Sequence, residues 1–330
     1  MRPPGLKVVN DIGQLNNVSK KKLTQKSFVT NINDYLMEKV FLLLGTFAIF
    51  ILALIVGFLF REGMDALREV GIGEFLIHQS WYPSSSDPRY GALPFIISSI
   101  MVTVGALTLA VPWGIFTAIF IAEIAPKRLK EILKPVVEVF AIFPSVVLGF
   151  IALVVLSPMV ANVFNLSNGL TAITASIILS VMALPTIISI AEDSLNSVPS
   201  DFKEAAYALG ATKWEVVKDI SLPAAKSGII AAVMLGFGRA VGETMTVLMA
   251  AGNAIDMPIR EFLGVTIPDF LTSVRTLTAN IAIEGSDVAW GSLHYSALFV
   301  VGIILFVITF VVNLIADILI NRQRGAMRND

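Results

Sequence analysis

Long apolar runs alternate with short polar segments along the chain. A bilayer core of about 30 Å needs about 20 mostly apolar residues per helix. Six runs meet that length, at residues 38–60, 95–124, 135–160, 168–191, 223–251 and 295–320. The first and last are the plainest: VFLLLGTFAIFILALIVGFLF from Val40, and ALFVVGIILFVITFVVNLIADILI from Ala297, with Asp317 near its exit. The four central runs are richer in Gly, Pro, Ser and Thr, which suits helices that pack on helices rather than on lipid. Pro112, Pro144 and Pro185 each fall inside one of them, predicting kinks whose freed carbonyls are re-satisfied by protein or a water cavity. The pattern predicts an all-α polytopic membrane protein of six transmembrane helices. Its parts are a cytoplasmic arm over 1–37, the first helix and an extracytoplasmic loop over 38–94, a core over 95–320, and a cytoplasmic tail over 321–330.

Charge sets the expected orientation. Eighteen of the 24 Lys and Arg fall on the side of the two termini, including Lys20, Lys21, Lys22 and Lys26 of the arm. The other side carries only Arg61, Arg68, Arg89, Arg260 and Arg275. Positive charge collects in the cytoplasm, so both termini are expected there. The first apolar run starts too late and is too long for a cleaved signal peptide.

Composition narrows the function classes. Charged residues are 15% and apolar residues 55%, against about 25% charged in an ordinary soluble domain. A net charge of −1 gives no pull toward nucleic acid; the expected surroundings are membrane lipid. Cysteine is absent, which removes disulfides, thiol catalysis and zinc fingers. His78 and His294 lie without metal-ligand spacing, so no metal site is expected. No G-x-x-x-x-G-K-[ST] run appears, so no nucleotide is expected to bind this chain. The run GFGRAVGE from Gly236 lies in an apolar helix, where Gly238 and Gly242 are expected to allow close helix packing.

The two loops opposite the termini are long, at 61–94 and 252–294. The first holds WYPSSSDPRYG, and the second, TIPDFLTSVRTLTANIAIE from Thr266, is expected to hold a short helix. Either these are plain connections or they form a docking surface for an extracytoplasmic partner. On the side of the termini, the loop over 192–222 has its own architecture. Ser200 is placed to cap a helix from Asp201 that stops before Gly210, a C′ glycine in the left-handed region. Phe202, Ala205, Ala206 and Leu209 recur at helical spacing on one face. Thr212 and Glu215 form a capping box for a second helix, and Pro223 opens the next span. Two short helices at an angle make a compact knob.

These residues carry a resemblance. Glu204-Ala205-Ala206, three residues, Gly210, nine residues, then Ile220-x-Leu222-Pro223 resembles the EAA motif of type I ABC importer permeases at every defined position. The resemblance implies that the loop is a coupling helix seated in a groove of a separate ATP-hydrolysing subunit, where ATP and Mg would be bound. Glu204, Ala205, Ala206, Gly210, Leu222 and Pro223 would then be the ATPase-coupling residues.

The fifth run contains Arg239 and Glu243. Ionised residues inside a membrane are costly and mark a substrate path or a buried pair. Arg239 lies about 20 Å along a helix from Lys226, near mid-membrane, with Glu243 at i+4 on the same face. Either the two form an intrahelical ion pair, or Arg239 meets a translocated anion through its planar, always-protonated fork. Glu243 would then limit how tightly the anion is held, with Thr244 beside the pair. On charge alone the anion is phosphate, sulfate, molybdate or an acidic metabolite.

The runs GFGRAVGETMTV from Gly236, FAIFPSVVLGF from Phe140, GALPFI from Gly91 and AVPWGIFTAIFIAEIAP from Ala110 resemble the phosphate importer permeases of the PstC type. That likeness implies phosphate, with Arg239 and Glu243 in the transport path and Ser145, after Pro144, lining it. It also implies a bacterial inner-membrane complex with a paralogous PstA-type permease, a PstB-type ATPase homodimer and a PstS-type phosphate-binding protein. An ATP-independent transporter would leave the EAA spacing unexplained.

Overall fold

A computed structural model describes the backbone of residues 5–262 and 265–326 and the side chains of residues 35–261 and 267–318. Helix α1 (Gly5–Glu69) runs from the polar arm through the first apolar run. The chain divides within it, between Phe58 and Leu59, into two units. The first unit is carried by α1, apolar all round between Val40 and Phe58 as a lipid-facing span requires.

The second unit holds the bundle. After α1 come α2 (Ile72–Ile77) and a short hairpin, β1 (Trp81–Tyr82) with β2 (Arg89–Tyr90), Trp81 opposite Tyr90. Helix α3 (Leu93–Ile119) passes into a π turn, Phe120–Ile124, and α4 (Lys127–Ala141) follows. Helix α5 (Ser145–Ile151), a π turn at Ala152–Leu156 and α6 (Ser157–Phe164) form one continuous span. Next are α7 (Ala172–Asn196) and α8 (Ser200–Ala208). Helix α9 (Lys213–Glu215), a π turn at Val216–Ser221 and α10 (Leu222–Gly242) are again continuous. Helix α11 (Met245–Ala250), a second hairpin of β3 (Ile259–Phe262) and β4 (Val265–Pro268), α12 (Leu277–Glu284) and α13 (Leu293–Ala326) complete the fold. Among the described residues six helices are long and apolar enough to cross a membrane.

Helix α7 is the centre of the bundle, packed on α3, α4, α10 and α11. Small residues let it be approached closely. Ala106 and Ala110 of α3 are buried with Ala175, Leu179 and Ala183 of α7. Gly114 of α3 and Gly236 of α10 both lie against Ile187, where an added Cβ would stand 2.8 Å and 2.6 Å from its side chain. Gly238 and Gly242, expected to serve that purpose, have open space beside them. The close contact belongs instead to Gly236, on the face of α10 that α7 covers.

The π turns follow one rule. Each ends two residues before a proline: Pro126, Pro158 and Pro223. The residue ahead of the proline donates its N–H five residues back, Ala125 to Phe120, Ser157 to Ala152 and Leu222 to Val217. Proline has no N–H and its ring collides with the carbonyl four residues back; at Pro158 and Pro223 the wider turn moves that carbonyl aside and the helix runs on, whereas at Pro126 the extended Ala125 ends it.

Two apolar runs divide where the sequence reading kept them whole. The run over 135–160 splits at residues 142–144, so Pro144 precedes the membrane helix instead of kinking it. Proline disfavours the helical region for the residue before it, and α4 is amphipathic with no buried residue. The run over 223–251 splits at Glu243, whose backbone is extended (φ −74°, ψ 125°). The fourth span begins at Ala172 and extends to Asn196. At its end the Glu192 carboxyl is buried, and α4 supplies its partners: Lys134 Nζ at 2.8 Å and Lys130 Nζ at 3.4 Å. Lys134 also meets Asp193 at 2.7 Å, and these hydrogen bonds, to Asp193 first and Glu192 second, raise its pKa.

Candidate functional site

The two breaks face each other. Arg239 stands one turn before the end of α10, and its Nη2 donates to the Ala141 carbonyl (3.3 Å) at the end of α4. Carbonyls in the last turn of a helix lack intrahelical donors, so the guanidinium completes α4. Its Nε is buried without a partner among the described residues. Across the same junction, Thr246 Oγ1 donates to the Ser145 carbonyl (2.9 Å). Gly149 permits the approach: a Cβ there would stand 3.1 Å from Thr246 Cα and 3.3 Å from the Met245 carbonyl.

Glu243 does not pair with Arg239 among the described contacts. Glu243 follows the last residue of α10, and its Oε1 accepts the Thr246 N–H (3.1 Å). A carboxylate there satisfies one of the open donors of α11 and meets the positive end of its dipole. Among the described residues the Thr244 side chain makes a local contact, its Oγ1 donating to the Gly242 carbonyl at 3.5 Å. The Arg239–Glu243 ion pair is not formed among the described residues. What the structure gathers is an arginine and the first turn of the continuous Ser145–Phe164 span, with Glu243 occupied in holding the second break. Ala141 and Thr246 escaped notice because their contacts run through backbone carbonyls distant in sequence.

The knob is built as its residues require. Helix α8 ends in a Schellman motif: Gly210 has φ +87°, its N–H donates to the Tyr207 carbonyl (2.9 Å), and the Ala211 N–H donates to the Ala206 carbonyl (3.1 Å). The Thr212–Glu215 capping box is present in both directions, and the Thr212 N–H, then its hydroxyl, holds the Glu215 carboxyl below the usual carboxylate range. Ser200 is the first residue of α8 and not its cap, since Pro199 takes that place. Proline's fixed φ fits a helix start.

Phe202, Tyr207, Leu209 and Trp214 project outward, Leu209 at 90% exposure, while Glu204 and Ala205 are exposed beside them. An apolar patch of this kind on a rigid protrusion marks a contact surface. Lys203 Nζ ties the knob to Glu123 in the π turn after α3 (2.8 Å). The second knob helix is continuous with the Arg239 span over Lys213–Gly242, with Leu222 and Pro223 inside that rod. The knob and the arginine are thus on one lever.

Membrane-spanning helices packed about α7, a protruding EAA knob and an arginine within the bundle define a membrane permease subunit. The chain belongs to the family of binding-protein-dependent transport system inner membrane components, which it matches over residues 110–325. It is a multi-pass inner-membrane transport subunit. Its relatives include the probable ABC transporter permease protein YqgH of Bacillus subtilis, 38% identical and covering 81% of this chain and 84% of that protein. The phosphate transport system permease protein PstC of Mesorhizobium japonicum is 36% identical over 83% of this chain and 87% of its own. Among solved structures, the inward-facing MetNI methionine ABC transporter shares the fold at a TM-score of 0.53 and 18% identity, covering 70% of this chain and 95% of that one. A bacterial ABC transporter that imports the acidic polysaccharide alginate does so at 0.51 and 16%, over 82% and 95%.

Proposed function

We propose that the chain is the PstC-type permease of an ATP-driven phosphate importer, working by alternating access with both termini in the cytoplasm. Its partners would be a PstA-type permease, two PstB-type ATPase chains that bind ATP and Mg, and a PstS-type phosphate-binding protein. The observation that carries this reading is the single helical lever from the exposed knob to Arg239. ATPase closure moves the knob, the rod turns, and the junction of the two breaks opens or closes around the anion.

Arg239 supplies a permanent positive charge with a planar fork matched to oxyanion oxygens. The Ser145 end of the Ser145–Phe164 span adds the positive end of a helix dipole, the arrangement by which discontinuous membrane helices meet anions. Because part of the guanidinium is already engaged with Ala141, the anion is held by few contacts and leaves readily, as transport demands.

The test is uptake of radiolabelled phosphate by proteoliposomes holding the four-component complex, with sulfate and molybdate as competitors. Phosphate alone should compete at low excess. Equal competition by sulfate or molybdate would assign the permease to another oxyanion, and uptake without ATP would refute the reading.

A further inference from the structure

On the side away from the knob, one carboxylate gathers three separate segments. Glu284 at the end of α12 accepts from Trp81 Nε1 of β1 (2.8 Å), lies 2.8 Å from His294 Nε2 of α13, and pairs with Arg275 Nη1 (2.9 Å). Burial lowers the pKa of Arg275 and Glu284 opposes that shift, so the guanidinium is held by its partners rather than by solvent. The hub forms one wall of a cavity of about 440 Å³ that also takes in Tyr82, Ser85 and Asp287. It is open to a docking partner from that side.

The same segment grips α11 at both ends. At the far end, Val274 donates its N–H to the Ala251 carbonyl (2.9 Å) and accepts from the Asn253 N–H (3.1 Å). Arg275 Nε donates to the Asn253 carbonyl (3.0 Å). At the near end, Thr278 Oγ1 donates to the carbonyl of Glu243 itself (3.1 Å). Helix α12 is in turn fixed to α3, where Ser99 Oγ accepts the Leu277 N–H (2.9 Å). One hydrogen-bonded segment therefore touches the cavity-lining hub and the backbone of the break beside Arg239.

We infer that residues 273–284 form a transducer that carries the docking of the substrate-loaded binding protein from the Glu284 hub to the Glu243 break, with Thr278 as its positioning residue. This rests on the proposed reading as a binding-protein-dependent importer. Contiguous hydrogen-bonded elements with one moving joint are the physical means by which such coupling travels. Thr278 holds the extended backbone at Glu243, and Glu243 caps α11, so a shift of α12 shifts the start of α11 and the Ser145 contact with it.

The experiment measures ATPase rate in the reconstituted complex with and without phosphate-loaded binding protein. Thr278→Val removes the donor at nearly constant volume and should lower the stimulation roughly three- to tenfold, the equilibrium factor of one lost hydrogen bond. Basal ATPase and the half-saturating concentration of binding protein should stay unchanged, which a merely structural defect would not produce. Thr278→Ser should restore stimulation. Wild-type stimulation in Thr278→Val, or failure of Thr278→Ser to differ from it, overturns the inference. If Thr278→Val does not assemble, Glu284→Gln is judged by the same ratio: reduced stimulation supports the transducer and wild-type stimulation overturns it. A wild-type complex that takes up phosphate normally but ignores the binding protein overturns the transducer alone. One that shows neither response overturns the proposed function as well.

Discussion

Arg239 and Glu243 look alike from sequence, two charges in an apolar run, yet they do different work. Arg239 bridges two helices and retains an unused buried donor; Glu243 caps the next helix. Arg239→Ala should abolish phosphate uptake in proteoliposomes while the complex still purifies intact, and Arg239→Lys should not rescue it, because an ammonium lacks the fork. Uptake at the wild-type rate in either variant would remove Arg239 from the path. Glu243→Gln keeps an oxygen to accept the Thr246 N–H and should leave thermal stability close to wild type. Glu243→Ala should cost about 1 kcal/mol, the usual size of a lost N-terminal cap, read as a lowered melting temperature in detergent. The sequence marks both residues and leaves open whether they pair. The i+4 spacing leaves a pair open, and the partner Glu243 takes instead is the Thr246 N–H beyond the end of α10.

At the scale of elements, the knob was the most legible part of the chain because its signals are local. The C′ glycine and the capping box each need only a few neighbouring residues, and both are present. Gly210 has open space around it, so its constraint is the backbone angle alone. Gly210→Asn should preserve coupled transport, since Asn tolerates the left-handed region, whereas Gly210→Val should uncouple ATP hydrolysis from uptake. Equal coupling in both variants would contradict that account.

Glu215 has a folded pKa below its ordinary 4.5. Its contribution is therefore present above that value and lost as pH falls through the lowered one. Hydrogen exchange around Thr212, corrected for intrinsic rates, should show the knob loosening in that window, and Glu215→Gln should flatten the dependence. The helix α4 was illegible for the opposite reason. Its attachment to the end of α7 runs through Glu192, buried across the bundle. Replacing both Lys130 and Lys134 by Met strands that carboxylate and should cost about 3–5 kcal/mol. Glu192→Gln lets the half-exposed lysines return to water and should cost less. The reverse order of melting temperatures would refute the clamp.

For the molecule as a whole, six spans were readable from apolar length, while the packing order was not. Which glycines touch a neighbour depends on the rotation of α10 against α7, a tertiary property that selects Gly236 over Gly238. Pro158 and Pro223, by contrast, mark the π turns that keep two spans continuous. One of these lies between the knob and Arg239, so the lever is rigid but wound differently at its base. The account's central claim is that force applied at the knob by an external ATPase moves the Arg239 junction. The most direct measurement is the distance between spin labels at Thr244 and Val146 in the reconstituted complex, with and without trapped ATP. A nucleotide-dependent change in that distance, lost in Gly210→Val, is the predicted result. A distance that stays fixed while the complex hydrolyses ATP and transports phosphate would contradict it.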